Sequence, residues 1–151
     1  MSNKKIHKLF PTPIFESKVN NYEKLNQDLE KYIYNLRDKD KDGLKLSNAG
    51  GGWHSPYFEI AKSIEVKNFL NAISPILLEI ITKDFGWKCT PQQIRFEGMW
   101  SVINRKNSYN LRHFHPNCHL SAAYYVKAKK DCGKIKFFDP LDQRIMKSPS
   151  K

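Results

Sequence analysis

The spacing of apolar residues changes character once along this chain, at Gly86, and that change narrows the fold more than any other feature. Upstream of it, Leu25, Leu29, Ile33 and Leu36 recur every three or four residues between positions 22 and 36. Phe69, Ile73, Ile76, Leu77, Ile80 and Ile81 do the same within residues 64–85. This is the period of a helix that buries one stripe. Asn20 or Asn21 is placed to cap the first helix, Pro75 to kink the second, and Gly86 to end it. Downstream the period becomes two: Ile94, Phe96, Trp100 and Val102 fall on one face of a strand over residues 94–104. Residues 111–115, 120–127 and 134–138 read as three further strands, the last two joined by the polar turn AKKDCG. An entry strand over 9–19 is interrupted by Pro11 and Pro13 and therefore belongs at an edge. DKDKDG (38–43) reads as a charged turn, and SNAGGGWHSP (47–56) as a flexible surface loop. Two helices followed by antiparallel strands predict an α+β fold, with both helices packed against one sheet.

A chain of 151 residues suits one domain, taken here as 1–151, with a core of its own. Its 40% hydrophobic and 27% charged residues exclude disorder for most of the length. No apolar run approaches the ~18 residues that span a bilayer, so no membrane partner is expected. The first ten residues do not read as a secretory signal. Three cysteines, Cys89, Cys118 and Cys132, form no CxxC and suit a reducing compartment; the expected location is the cytoplasm. The formal charge of +11 comes from 21 Lys and only 5 Arg, scattered along the chain. Lysine is a solubilising point charge, whereas base recognition leans on the forked arginine. A solvated basic surface is therefore the favoured reading, and a nucleic-acid footprint the lesser one.

Chemistry is concentrated in residues 109–125, YNLRHFHPNCHLSAAYY, where three of the five histidines stand within seven positions. Side chains two apart on a strand project from one face, so His113 and His115 would sit about 7 Å apart along it. Two imidazoles so placed bind one divalent cation once a third ligand joins them, and nitrogen donors suit Fe(II) or Zn(II). Metal ligation is the favoured reading of this pair, with a structural or exposed pair as the alternative. At His119, on the turn into the next strand, that order reverses. Other HxH chemistries fail on spacing. A metallo-β-lactamase pattern needs Asp and His where Asn117 and Cys118 stand, and a cupin pattern needs Glu where His119 and Leu120 stand. The amidohydrolase pair belongs to a barrel about twice this size.

The stretch 100–140 as a whole resembles the 2-oxoglutarate and Fe(II)-dependent oxygenases related to prolyl hydroxylases. Those enzymes carry an HxD-type pair, then a strand ending in an aromatic pair, then a turn and a Gly-x-Φ-x-F strand. Here the counterparts are His113-Phe114-His115, Tyr124-Tyr125 and Gly133-Lys134-Ile135-Lys136-Phe137. An uncharacterised branch found in marine bacteria and phages is more similar still. It shares the FPTP stretch (10–13), the SNxGGWxS-like loop (47–55), the HxHPxS-like motif (113–118) and a DP at Asp139-Pro140. The resemblance implies a double-stranded β-helix, or jelly-roll, that holds Fe(II) and takes 2-oxoglutarate as cosubstrate. His113 would be the first ligand, and His115 would stand where the family has Asp; a shifted frame, His115 with Asn117, makes poorer ligands. Tyr125 matches a tyrosine that reaches the cosubstrate carboxylate, with a core aromatic as its alternative reading, and Asn104 is a weaker cosubstrate residue. Trp53 and His54 would close over the substrate, with an ordinary surface loop as the favoured alternative.

The family also has a distal His and, after it, an Arg or Lys for the far carboxylate of 2-oxoglutarate. No histidine follows His119 here, so the β-helix is expected to be incomplete. Three readings stand open: a C-terminally truncated product, which is favoured; a degenerate relative that binds without catalysing; and His119 or His54 as the third ligand, rated last. The expected function is a 2-oxoglutarate- and Fe(II)-dependent oxygenase, inactive if its distal residues are missing. The alternative is a noncatalytic phage or host accessory binding protein. The substrate is not legible.

Overall fold

Ser63 shows how local chemistry sets the helices: its hydroxyl accepts from the Val66 N–H at 3.2 Å, capping the second helix as its chain turns inward. In the computed structural model, which describes residues 5 and 11–138, α1 runs Tyr22–Lys39 and α2 runs Ile64–Glu79. Leu29 of α1 and Val66 and Phe69 of α2 are buried where the helices pack together. Pro75 stands inside α2 without ending it. The last turn widens to a π-helix over Ile80–Asp84. It stops where Phe85 N–H reaches Ile80 O at 3.0 Å and Gly86 turns to φ +67°, the glycine stop expected at this place. The first helix is capped differently from expectation. Asn21 is left-handed (φ 52°), and its side chain makes no cap bond; asparagine tolerates that conformation.

The strands are four pairs of residues: β1 Asn48–Ala49, β2 Trp53–His54, β3 Val102–Ile103 and β4 Tyr109–Asn110. β1 pairs antiparallel with β4, Asn48 opposite Asn110, and β2 with β3, Trp53 opposite Ile103. The two ladders lie in line along one ribbon, but between them residues 50–52 face residues 104–108, so the register slips. Beyond β2 the pairing continues as Ser55 N–H to Ser101 O at 3.0 Å and Phe58 N–H to Met99 O at 2.8 Å. Between those two bonds the register shifts by one residue, and the strand expected over 94–104 is reduced to Val102–Ile103.

The α+β class stands, but the continuous sheet does not form among the described residues. Residues 111–115, 120–127 and 134–138 run without strand pairing. A strand exists only against a neighbour, and among the described residues the backbone bonds seen in this stretch include Leu111 N–H to Ser47 O, at the end of the ribbon, and Cys132 N–H to Lys129 O within the AKKDCG turn. Pro116 and the left-handed Asn117 (φ 60°) also bend the chain directly after the histidines. The entry strand likewise gives way to an irregular run over 11–19, whose Phe15 ring packs on Phe85 at 5.6 Å and whose Val19 is buried. Leu9, Phe10, the Asp139-Pro140 motif and the tail after it lie outside the described residues.

The largest departure concerns SNAGGGWHSP. It is the most buried segment of the molecule rather than a surface loop: Gly52, Trp53, His54 and Ser55 are all buried. The indole N–H of Trp53 donates to Asp40 O at 2.7 Å, and Leu44 N–H donates to His54 O at 2.9 Å. The DKDKDG turn thus wraps the tryptophan. Gly43 allows it, because its φ is +58° and a Cβ there would stand 2.7 Å from the indole.

Candidate functional site

The β1–β4 ladder delivers the histidines. Its last rung is Leu111 N–H to Ser47 O at 2.7 Å, after which the chain leaves the ribbon. Leu111 O then accepts from His113 Nδ1 at 2.8 Å. A carbonyl only accepts, so the neutral His113 ring carries its proton on Nδ1 and keeps a bare Nε2. His115 Nδ1 lies 2.6 Å from Ser121 Oγ. Its Nε2 is buried and has no hydrogen-bond partner among the described residues. The two ring centres are 5.1 Å apart with planes at 38°, while Phe114 between them in sequence is 83% exposed. The shared face foreseen for a strand therefore survives in a segment that is not one.

Trp100 forms the wall behind His115. Its ring meets His115 edge-on at 5.1 Å and stacks on His54 at 5.7 Å, with Tyr57 beside it at 5.5 Å. Its place follows from its neighbour: Ser101 N–H donates to the buried Ser55 Oγ at 2.9 Å, which fixes the backbone carrying Trp100. This packing has an electrostatic consequence. Burial first, and the neighbouring His113 second, push the His115 pKa below its ordinary 6.5, so the ring is a neutral donor at pH 7.

The other residues singled out in the sequence are placed as follows. His54 is 2% exposed and donates Nδ1–H to Ser55 O at 2.6 Å; with Trp53 it belongs to the core, not to a loop free to close over a substrate. Asn104 lies over Gly52, where a Cβ would stand 2.8 Å from its Oδ1. Tyr125 is 59% exposed. Its neighbour Tyr124 is the inward one, packing on Phe69 at 4.8 Å and donating to Asn26 Oδ1 at 2.7 Å. His119 stands apart from the pair, edge-on to Trp87 at 5.5 Å. Sequence reasoning missed Ser121 and the wall role of Trp100. The alternation of Trp100 with Val102 marked it as inward-facing, but nothing in the sequence pairs it with His54.

The pair fits part of a metal site. With metal–nitrogen bonds of about 2.1 Å, two imidazoles on one cation hold their centres roughly 4.5–5.5 Å apart, and the observed 5.1 Å lies in that range. An orphaned buried nitrogen and Nδ1 atoms held by outer partners are what ligating histidines require. Among the described residues no third His, Cys, Asp or Glu joins them. A concavity of about 540 Å³ on α1, lined by Gln27, Glu30, Lys31, Tyr34 and Asn35, includes none of these side chains. Among the described residues no helix is long and apolar enough to cross a membrane.

Residues 98–151 match the family model described as "Putative 2OG-Fe(II) oxygenase". The matched stretch contains His113, His115, Asn104 and Tyr125, and leaves out the buried Trp53-His54 segment. No curated protein and no solved structure matches the chain. The match to that family model thus covers the segment that carries the paired imidazoles and the tryptophan wall, and is a similarity of residues 98–151.

Proposed function

We propose that this protein binds Fe(II) through His113 and His115 and acts as a 2-oxoglutarate-dependent oxygenase. The observation that carries the reading is the buried, unpartnered Nε2 of His115, on a ring whose centre lies 5.1 Å from that of His113, inside the matched segment. Bound iron and 2-oxoglutarate would supply the oxidising chemistry with O₂ as oxidant, one oxygen atom going to the succinate that forms with loss of CO₂ and the other into a C–H bond of the substrate. The protein's own share is narrower. His113 and His115 bind the metal as neutral donors, and Trp100 excludes water from the His115 side. Tyr125 and Asn104 are the polar side chains of the segment that we assign to the cosubstrate. We infer that residues 111–138 take up the family's double-stranded β-helix only against a second sheet layer, since Phe114, Ile135, Phe137 and Phe138 are exposed apolar side chains of the kind such a layer covers.

A second reading, a binding module that keeps the metal pair without turnover, is favoured by the absence of a third protein ligand among the described residues. Calorimetric titration with Ni(II) tests the shared premise. His113→Ala and His115→Ala should each weaken binding by more than the roughly 10- to 100-fold that outer-shell partners are worth. Unchanged affinity in both variants rejects the metal site. Iron-dependent formation of succinate then selects the oxygenase, and metal binding without it selects the binding module.

A further inference from the structure

His113 and His115 differ in one respect that bears on ligation. The Nδ1 partner of His113 is a carbonyl, which settles the tautomer. That of His115 is a hydroxyl, which both donates and accepts. If Ser121 donated to Nδ1, the proton of the neutral ring would sit on Nε2, a buried N–H with no partner among the described residues. Such a donor bears its full desolvation cost with no bond to offset it. If Ser121 accepts, Nδ1–H is satisfied and Nε2 presents a lone pair.

We propose that Ser121 is a positioning residue: by accepting the Nδ1 proton of His115 it holds that ring in the tautomer whose Nε2 lone pair matches that of His113. The inference rests on the metal reading above and adds to it a residue six positions beyond its ligand. Two observations besides the hydrogen bond support it. Trp100, edge-on at 5.1 Å, limits rotation of the ring from one side, so the 2.6 Å bond to Ser121 fixes its orientation from another. Ser121 itself is exposed and outside any helix or strand, so exchanging it leaves the packed core untouched.

The test compares Ser121→Ala and Ser121→Thr with the wild-type chain in two measurements. The first is long-range ¹H–¹⁵N correlation of the imidazoles without metal. Wild type and Ser121→Thr should show both His113 and His115 protonated on Nδ1, and Ser121→Ala should shift His115 alone toward the Nε2-protonated form. The second is Ni(II) affinity, expected to fall roughly 10- to 100-fold in Ser121→Ala and to recover in Ser121→Thr, the magnitude typical of outer-shell partners. An Nε2-protonated His115 in the wild type overturns the proposal. So does a Ser121→Ala variant with unaltered tautomer and affinity. If His113→Ala and His115→Ala abolish Ni(II) binding while Ser121→Ala does not weaken it, this inference fails and the metal reading stands. If neither histidine matters, the metal reading itself has failed.

Discussion

His115 resists protonation for two reasons of unequal weight: its ring is partly removed from water, and His113 stands beside it. Both favour the neutral form, so the folded chain takes up this proton at lower pH than the unfolded chain does. Between the folded value and 6.5 the unfolded state binds more protons, and stability therefore rises with pH across that window. The contribution is complete above 6.5 and is lost as pH falls through the folded pKa. An NMR titration of the His115 ring protons should give a midpoint below 6.5. In His113→Ala the midpoint should move up, because one cause is gone, yet remain below 6.5, because burial is the larger. A wild-type midpoint at or above 6.5 would show that the ring is solvated and that the Trp100 wall does not exclude water from it.

At the scale of elements, α2 depends on one hydroxyl at its entrance. Ser63 is buried and accepts from Val66 N–H, and Val66 is fully buried one turn in. Ser63→Ala leaves that N–H without its acceptor and should cost about 0.5–2 kcal/mol, read as a lower urea midpoint at unchanged slope. A variant as stable as wild type would mean that packing of Val66 and Phe69 alone sets where the helix begins. The two helices were legible in the sequence because every residue of a helix contributes to one local period: Leu25 to Leu36 and Phe69 to Ile81 announce themselves. The ribbon was not legible, because its rungs are pairs such as Trp53 with Ile103, fifty residues apart, and a two-residue strand has no period to read. The same cause hid the burial of SNAGGGWHSP. Glycines that mark an open loop in sequence here let backbone approach backbone, and only the partner segment distinguishes the two cases. The histidine pair was legible because its geometry is local: the two rings meet at 5.1 Å without any ladder. Ser121 was hidden because a single serine in a stretch that reads as a strand carries no signal of the ring it meets.

At the scale of the whole molecule the structure divides into a packed part and an open one. The helices and the ribbon 47–58 with 99–111 carry Leu29, Trp53, Val66, Phe69 and Ile81, which with Val19 of the preceding run are the buried apolar residues among those described. The run 112–138 rests on this body through a few side chains. Tyr124 bonds to Asn26 of α1 and packs on Phe69 of α2, and Lys127 meets Glu30 at 2.5 Å. An exposed ion pair of this kind adds little stability, so Tyr124 and the ring contacts of His115 on Trp100 and His119 on Trp87 are the main ties, and Tyr125, Ile135, Phe137 and Phe138 stay more than half exposed. Hydrogen exchange reports this division directly, since amides without backbone partners open at little cost while those in a packed ribbon open only with larger unfolding. Residues 53–58 and 99–103 should exchange slowly, alongside the middle turns of α1 and α2, and residues 120–138 within the earliest time points. Slow exchange over 120–127 and 134–138 would mean that those segments pair as strands in solution, the arrangement a double-stranded β-helix requires. Because Trp100 belongs to the slow ribbon and Ser121 to the fast run, the surroundings of His115 join the two parts. Ni(II) held by His113 and His115 would therefore slow exchange first at residues 113–121, while leaving 53–58 unchanged. That pattern would show the metal acting on the open segment rather than on the core.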